Sequence, residues 1–589
     1  MRRGGCFLAI LLLVTGPALA ARPEVVIDPG GVPPAALTII TEAVGVIARQ
    51  AEDQDGGEAD RLRRRARDAT LAALATQGYF AAQVTLAAGR DIGGDTWDIG
   101  IQPGRRAQVV AVDLDFTGRV TAPAYAARLA AMKKAWLLPT GKPFVNNDWS
   151  KAKTELLEAV SRKDFLLARI TASAADVDAD TAQVRLKLSI DSGPLVKMGD
   201  LRTTGLKRVP ENLVTRYVNY TPGAAYDQDK LDEWQQDLQG TNFFRGAFVS
   251  LGRADPPPDP NGEVTLPVQV RVVESPARRF SASLGLDSDV GVRAEGQYRQ
   301  NVVFGLPLTM ETGVGVDRVR QRAYADFYLP PDGKGNKDSF GLLVDHNDVQ
   351  GLDVKRFAIG ATRVQTRKAP GDSRVEYETR WGLLAAHDHV TIDGGDEYDL
   401  PTATATVEWL RRDVNSKYDP REGNLISVGG GVGAVLDSGE PFARLRLRGQ
   451  KWWPIGPRDV FTTRAEVGKL WATSDVQVPD DFGFRAGGAR SIRGYSYQSI
   501  GTKRADATVG APTLAVASVE YDHYFNDRFG IAYFVDAGDA AESFGSMQMH
   551  VGYGVGARVR TPAGPLFLDL AYGQRDSKLR LSFSLGLAF

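Results

Sequence analysis

The chain has 589 residues, 24% of them charged, and a formal net charge of −1. That length is too great for one small domain, and the balanced charge gives no electrostatic argument for a nucleic-acid partner. The one cysteine, Cys6, lies within the first twenty residues. Disulfide frameworks and cysteine-based metal or nucleophile sites are thereby excluded from the remainder.

Residues 1–20 read as a secretory signal peptide. Arg2 and Arg3 form the charged start, Phe7 to Val14 the apolar run, and Ala18-Leu19-Ala20 the cleavage motif. The apolar run is shorter than the ~20 residues a spanning helix needs. Cleavage after Ala20 removes two arginines and takes the formal charge from −1 to −3.

Residues 21–275 carry a threefold repeat that divides at 21–105, 106–194 and 195–275. In each unit a helical segment ends in an aromatic turn and two strands follow. The turns are Gly78-Tyr79-Phe80, Lys163-Asp164-Phe165 and Asn242-Phe243-Phe244. Ala152, Leu156, Leu157 and Val160 fall at helical spacing, as do Leu231, Trp234 and Leu238. The order predicted for each unit is β-α-α-β-β, an α+β module. The basic run Arg61 to Arg67 reads as a solvated helix face.

From residue 276 to 589 the dominant period is two. Val551, Tyr553, Val555, Ala557 and Val559 alternate with Gly552, Gly554, Gly556, Arg558 and Arg560. An apolar face against a small or charged face fits a soluble sandwich, or a barrel with lipid outside and a polar lumen. The length of the strands and the aromatics Trp452, Trp453 and Trp471 near their ends favour the barrel. Segments beginning near 279, 291, 307, 321, 339, 353, 373, 401, 424, 440, 459, 512, 528, 547, 565 and 578 predict sixteen strands. An even count and closure would satisfy every backbone group inside lipid.

The sixth outward connection is a long loop, residues 472–511. Loops of that length are functional or disordered, and this one holds Phe482, Phe484, Ile492 and Tyr495, which want burial. Its sequence Phe484-Arg485-Ala486-Gly487-Gly488-Ala489-Arg490-Ser491-Ile492-Arg493-Gly494-Tyr495 resembles the inserted-loop signature of the BamA/TamA superfamily of outer-membrane assembly factors. The three repeats resemble the POTRA modules that precede such barrels. Tyr418-Asp419-Pro420-Arg421-Glu422-Gly423 and Phe534-Val535-Asp536-Ala537-Gly538 are further matching elements. Three modules with this loop are most similar to TamA-type members.

The resemblance implies an outer-membrane location with the POTRA modules in the periplasm. It implies that Gly487, Gly488, Ser491, Ile492, Arg493, Gly494 and Tyr495 form the inserted motif, with Arg493 meeting carboxylates on the strands that follow. By register those are Glu520 and Asp536. It also implies a TamB-like inner-membrane-anchored partner, and clients that are unfolded outer-membrane proteins or autotransporters in contact with outer-membrane lipid. A seam between the first strand (Phe280, Leu284, Leu286) and the last (Phe583, Leu585, Phe589) is the expected insertion point. A secretion pore exporting one partner protein through the lumen is the alternative.

No catalytic residue, cofactor site or metal site is expected. Gly552-x-Gly554-x-Gly556 lies within an alternating strand instead of between strand and helix. No Gly-x-Ser-x-Gly is present. His387 and His389 share a strand face, where a lumen or loop role is expected over metal binding. N-terminal sequencing of the membrane-bound protein should return Ala21 as the first residue; Met1 there would refute the signal peptide.

Overall fold

The computed structural model describes residues 23–52, 56–91, 94–252, 259–260, 262–473, 476–561 and 564–585. The expected signal peptide, Cys6 and the expected seam residue Phe589 lie outside the described residues. The chain divides into two compact units, with the boundary running through the third α/β module.

The first module runs strand Glu24–Asp28, helices Pro34–Gln50 and Gly56–Thr76, and strands Gln83–Asp91 and Gly94–Gln102. The first strand pairs parallel with the third, and the second pairs antiparallel with it. Ala36, Ile40, Val44, Ile47 and Ala48 are buried at helical spacing and cover the sheet. In the basic run, Leu62 and Ala66 are buried while Arg61 and Arg67 pair with Glu58 and Asp68 in solvent. The run is therefore a solvated helix face.

The second module repeats the plan, with strands Gln108–Thr117, Arg169–Asp178 and Gln183–Asp191 around helices Ala126–Lys134 and Asn146–Ser161. Its central strand buries Val184, Leu186, Leu188 and Ile190 against Trp149, Ala152, Leu156 and Val160. Leu157 is only partly buried. The third sheet orders Leu195–Thr204, Glu263–Glu274 and Phe244–Leu251 in the same way.

The aromatic turns are joints. The Gly78 carbonyl accepts from Ala107 N–H, that of Asp164 from Val196, and that of Phe243 from Ser275, each at 2.8 Å. The Asp164 turn is further tied to the third module by Asp164 N–H to the Tyr226 carbonyl and Gln228 N–H to the Arg162 carbonyl, each at 2.9 Å, and the Phe243 bond closes the third module just before the barrel. Gly78 (φ +91°) is required there, because a Cβ would stand 2.4 Å from the Phe144 carbonyl.

Sixteen strands form the barrel. They are β1 Arg278–Asp287, β2 Gly291–Val303, β3 Leu306–Val316, β4 Arg320–Tyr328, β5 Asn336–Val349, β6 Leu352–Ala369, β7 Asp372–Ile392 and β8 Glu397–Val414. β9 Gly423–Val435, β10 Pro441–Ile455, β11 Asp459–Ala472, β12 Thr513–Tyr524, β13 Phe529–Ala541, β14 His550–Thr561, β15 Gly564–Gly573 and β16 Lys578–Leu585 complete it. Each strand pairs with the next in antiparallel register. The expected starts agree with these to within four residues.

Alternation sorts the side chains. Phe280 (74% exposed), Leu284 (84%), Leu383, Val467 and Val555 point outward, as an apolar belt facing lipid requires. No helix among the described residues is long and apolar enough to cross a membrane. Trp453 and Trp471 lie on the outer face as expected, but Trp452 does not. It packs in the lumen against Val414, Leu425 and Val460, because adjacent strand residues face opposite sides. His387 and His389 depart from the lumen or loop role. His387 pairs across with Phe357, which is itself exposed, so both rings lie on the outer wall. Asp399 and Glu397 of the next strand hold His389 at 3.0 and 2.9 Å.

The seam is thin. β1 and β16 meet at one described pair, Asp287 with Ser584, supplemented by Ser288 N–H to the Phe583 carbonyl at 3.2 Å. By contrast, β1 forms ten pairs with β2.

Glu274, at the end of the last module strand, is a local keystone. It accepts backbone N–H from Lys207, Arg208 and Val209 at 2.6, 2.8 and 2.9 Å, and the Arg208 guanidinium at 3.1 Å. Burial alone would raise its pKa; the four donors outweigh that and bring it down to about 2. A depressed carboxylate stabilises the fold above its unfolded pKa and loses that contribution as pH falls through the folded value. Amide-exchange protection at residues 207–209 should therefore fall between about pH 4.5 and pH 2, and Glu274→Gln should abolish this pH dependence. Protection that holds unchanged through that range in the wild type would contradict the assignment.

Candidate functional site

The long loop folds back into the barrel. Phe482, Phe484, Ala486, Ile492 and Tyr495 are buried in one cluster with Leu400, Val435, Phe442, Leu470 and Leu514 of the wall. Phe482 meets Phe442 edge-on at 4.9 Å. Gly468 leaves the space for the Phe484 ring, since a Cβ there would lie 2.4 Å from it. A hairpin within the loop, Thr502–Arg504 with Ala507–Val509, was not legible in the sequence.

The predicted motif residues come together at the tip. Gly487 and Gly488, both at φ +101°, turn the chain, and Ala489 N–H donates to Asp289 at 2.9 Å. Ser491 contributes its carbonyl, which accepts from Arg464 at 2.9 Å. Ile492 is fully buried. The Tyr495 hydroxyl donates to the Val551 carbonyl at 3.1 Å and accepts from Arg575 N–H at the same distance. Gly494 (φ +91°) lies so close to β15 that a Cβ would stand 2.6 Å from the Gly573 nitrogen.

Arg493 is 5% exposed. Its Nε and Nη2 bind the two Asp536 oxygens at 2.7 and 2.9 Å, and its backbone N–H adds a third bond at 3.0 Å. Nη1 reaches Glu520 at 2.6 Å and Asp569 at 3.2 Å. The guanidinium lies over the Phe534 ring, 3.4 Å from its centroid, a stacking geometry suited to a planar cation. Glu520 and Asp536 are thus where the register places them.

Sequence reasoning missed three participants. Asp569 is a lone carboxylate in an apolar strand, a signal that could have been used. Arg558 binds Glu520, Asp522 and Asp569 at 2.8, 3.1 and 2.5 Å and balances acids that one arginine cannot. Gly552 is the floor, because a Cβ there would come 1.9 Å from the Arg493 carbonyl.

Of the seam residues, Phe280, Leu284 and Leu286 are exposed on the outer face of β1 and Phe583 is half-buried on β16. Leu585 ends that strand. Among the described residues the two strands meet at the pair Asp287 and Ser584 and at the Ser288–Phe583 backbone bond. Among the described residues no His, Cys, Asp and Glu group is placed to hold a metal ion.

An antiparallel barrel with an apolar belt, an arginine-pinned loop in its lumen and α/β modules before it defines a class of outer-membrane protein. Residues 303–589 match the Omp85 superfamily domain. The chain is 24% identical over 415 residues to outer membrane protein assembly factor BamA of Nitratidesulfovibrio vulgaris, a match taking in 65% of this chain and 50% of that protein. The chain thus matches about half the length of this relative. The crystal structure of BamA from Haemophilus ducreyi lacking POTRA domains 1-3 superposes with a TM-score of 0.66 at 15% identity, covering 81% of this chain and 99% of that one. At that identity it shows the fold. CdiB from Acinetobacter baumannii superposes at a TM-score of 0.42 and 13% identity over 82% of this chain and 90% of its own, which carries no argument. The barrel is an outer-membrane barrel, and the N-terminal modules fit the periplasm.

Removing one member of a buried ion pair costs about 3–5 kcal/mol in a dry interior, and a partly wet lumen lowers this. Arg493→Ala should cost about 2 kcal/mol and expose the loop to protease, while Arg493→Lys, lacking the fork, should recover less than half. A double-mutant cycle with Asp536→Ala should give a coupling of at least ~1 kcal/mol; a value indistinguishable from zero would show that the pair does not hold the loop.

Proposed function

We propose that this protein is an outer-membrane protein assembly factor of the TamA type, working without a catalytic site. Its POTRA modules receive periplasmic clients such as autotransporters by adding an extended segment to a sheet edge. A TamB-like inner-membrane-anchored protein is the partner. Insertion or translocation takes place at the seam between β1 and β16.

The observation that carries this reading is the single described pair closing the barrel. Each ladder hydrogen bond contributes only about 1 kcal/mol net, so among the described residues little ladder bonding opposes parting this junction. Parting any other pair of neighbouring strands breaks a far longer ladder, such as the ten pairs joining β1 to β2. A client strand could then template on the β1 edge.

The test is a reversible lock. Asp287→Cys and Ser584→Cys face each other across the seam, and no other cysteine lies beyond Cys6. Oxidation should stop client insertion in proteoliposomes, and reduction should restore it. Full insertion by the oxidised barrel would discard the seam and favour a secretion pore, since export through the lumen needs no lateral opening.

A further inference from the structure

A cavity of about 400 Å³ lies in the lumen beside the pinned loop, and its wall holds seven arginines against five carboxylates. Each of those carboxylates is committed. Asp419 is held by Arg560 at 2.8 Å and Glu466 by Arg446 at 2.8 Å. Glu520, Asp522 and Asp569 are taken by Arg493 and Arg558.

Among the described residues, four of the seven guanidinium groups on the cavity wall have no carboxylate within ion-pair distance. Arg448 of β10 has a buried Nε with no hydrogen-bond partner. Arg464 of β11 donates to one loop carbonyl, that of Ser491. Arg490, on the loop, is exposed and lines the cavity. A fourth, Arg421, stacks on Tyr524 at 5.3 Å. Arg448 and Arg464 are diagonal neighbours on the inner face, since Gln450 stands opposite Arg464 and Glu466 opposite Arg448. Gathering more cations than carboxylates in a protein-walled space, where the carboxylates already bind other arginines, is unfavourable, and an anion entering there relieves it.

We infer that this cavity is a binding site for a phosphate-type oxyanion, gripped by Arg448, Arg464 and Arg490. Guanidinium forks match the oxygens of phosphate, and three of them call for more than one negative charge. The cavity exceeds what a bare phosphate fills, so a phosphate ester fits. Phe583 of β16 also lines it, which puts the site beside the seam. A lipid headgroup and a free phosphate share this chemistry.

The experiment uses the full chain in nonionic detergent and reads the temperature at which the gel-mobility shift of the unfolding barrel occurs. Sodium phosphate should raise this midpoint by several degrees over sodium chloride at matched ionic strength. R448Q/R490Q should remove the rise while the unboiled form keeps its folded mobility. R490Q alone, which changes only a solvent-facing loop side chain, should at least halve it and serves if the double variant does not fold. Equal midpoints in phosphate and chloride, or an undiminished phosphate shift in R490Q, would overturn the site. Native mass spectrometry of protein extracted from membranes separates the sources. Phospholipid retained by wild type and lost in R490Q assigns a lipid headgroup; a phosphate shift with no retained lipid assigns a free oxyanion.

Discussion

The barrel's interior depends on one cation meeting three carboxylates. A loop of some forty residues pays a closure entropy that grows slowly with length, so its position must be fixed by contacts at the tip. Arg493 supplies five hydrogen bonds to Asp536, Glu520 and Asp569, and it stacks on Phe534. Arginine suits this site: Nε, Nη1 and Nη2 each reach a carboxylate oxygen, and a lysine ammonium has no such planar fork. The carboxylates in turn need Arg558, without which Glu520, Asp522 and Asp569 would repel one another.

Glycine on the facing strands makes the approach possible. Gly552 and Gly573 bring the loop backbone to within contact of β14 and β15, and neither position has room for a Cβ. The alternation of apolar and small residues in β14 thus has two causes. The outward positions face lipid, and at least one inward position is small because loop backbone occupies the space a side chain would take.

Legibility followed period and register. The sixteen strands could be read because alternation persists through each of them, and the helices of the modules because their buried faces repeat at 3.6 residues. Glu520 and Asp536 could be placed because a period of two fixes which side of the wall a residue faces. Asp569 and Arg558 escaped because a cluster of charges is set by four strands at once, and spacing along one strand carries no record of the others. Trp452 was misplaced for a related reason. Adjacent tryptophans in a strand cannot both face lipid, and only the register of their neighbours says which one does. The outward position of His387 and His389 follows from the same parity once Leu383 is known to be exposed.

The loop and the seam are one mechanical system. Arg580 of β16 donates to the Gly494 carbonyl at 2.9 Å and to the Ser496 hydroxyl at 2.8 Å. The tip therefore holds the last strand, while across the seam that strand has one described pair with β1. On its other side β16 pairs with β15 from Gly573–Lys578 to Leu566–Leu585, and β15 carries Asp569, a ligand of Arg493. β14, β15 and β16 are thereby fastened to the loop as a group, and on the other side of the junction Ala489 N–H ties the same tip to Asp289 in the turn between β1 and β2 at 2.9 Å. The loop tip thus touches both sides of the junction between β1 and β16. A loop held by a charged network positions those edges without contributing a single ladder bond between them.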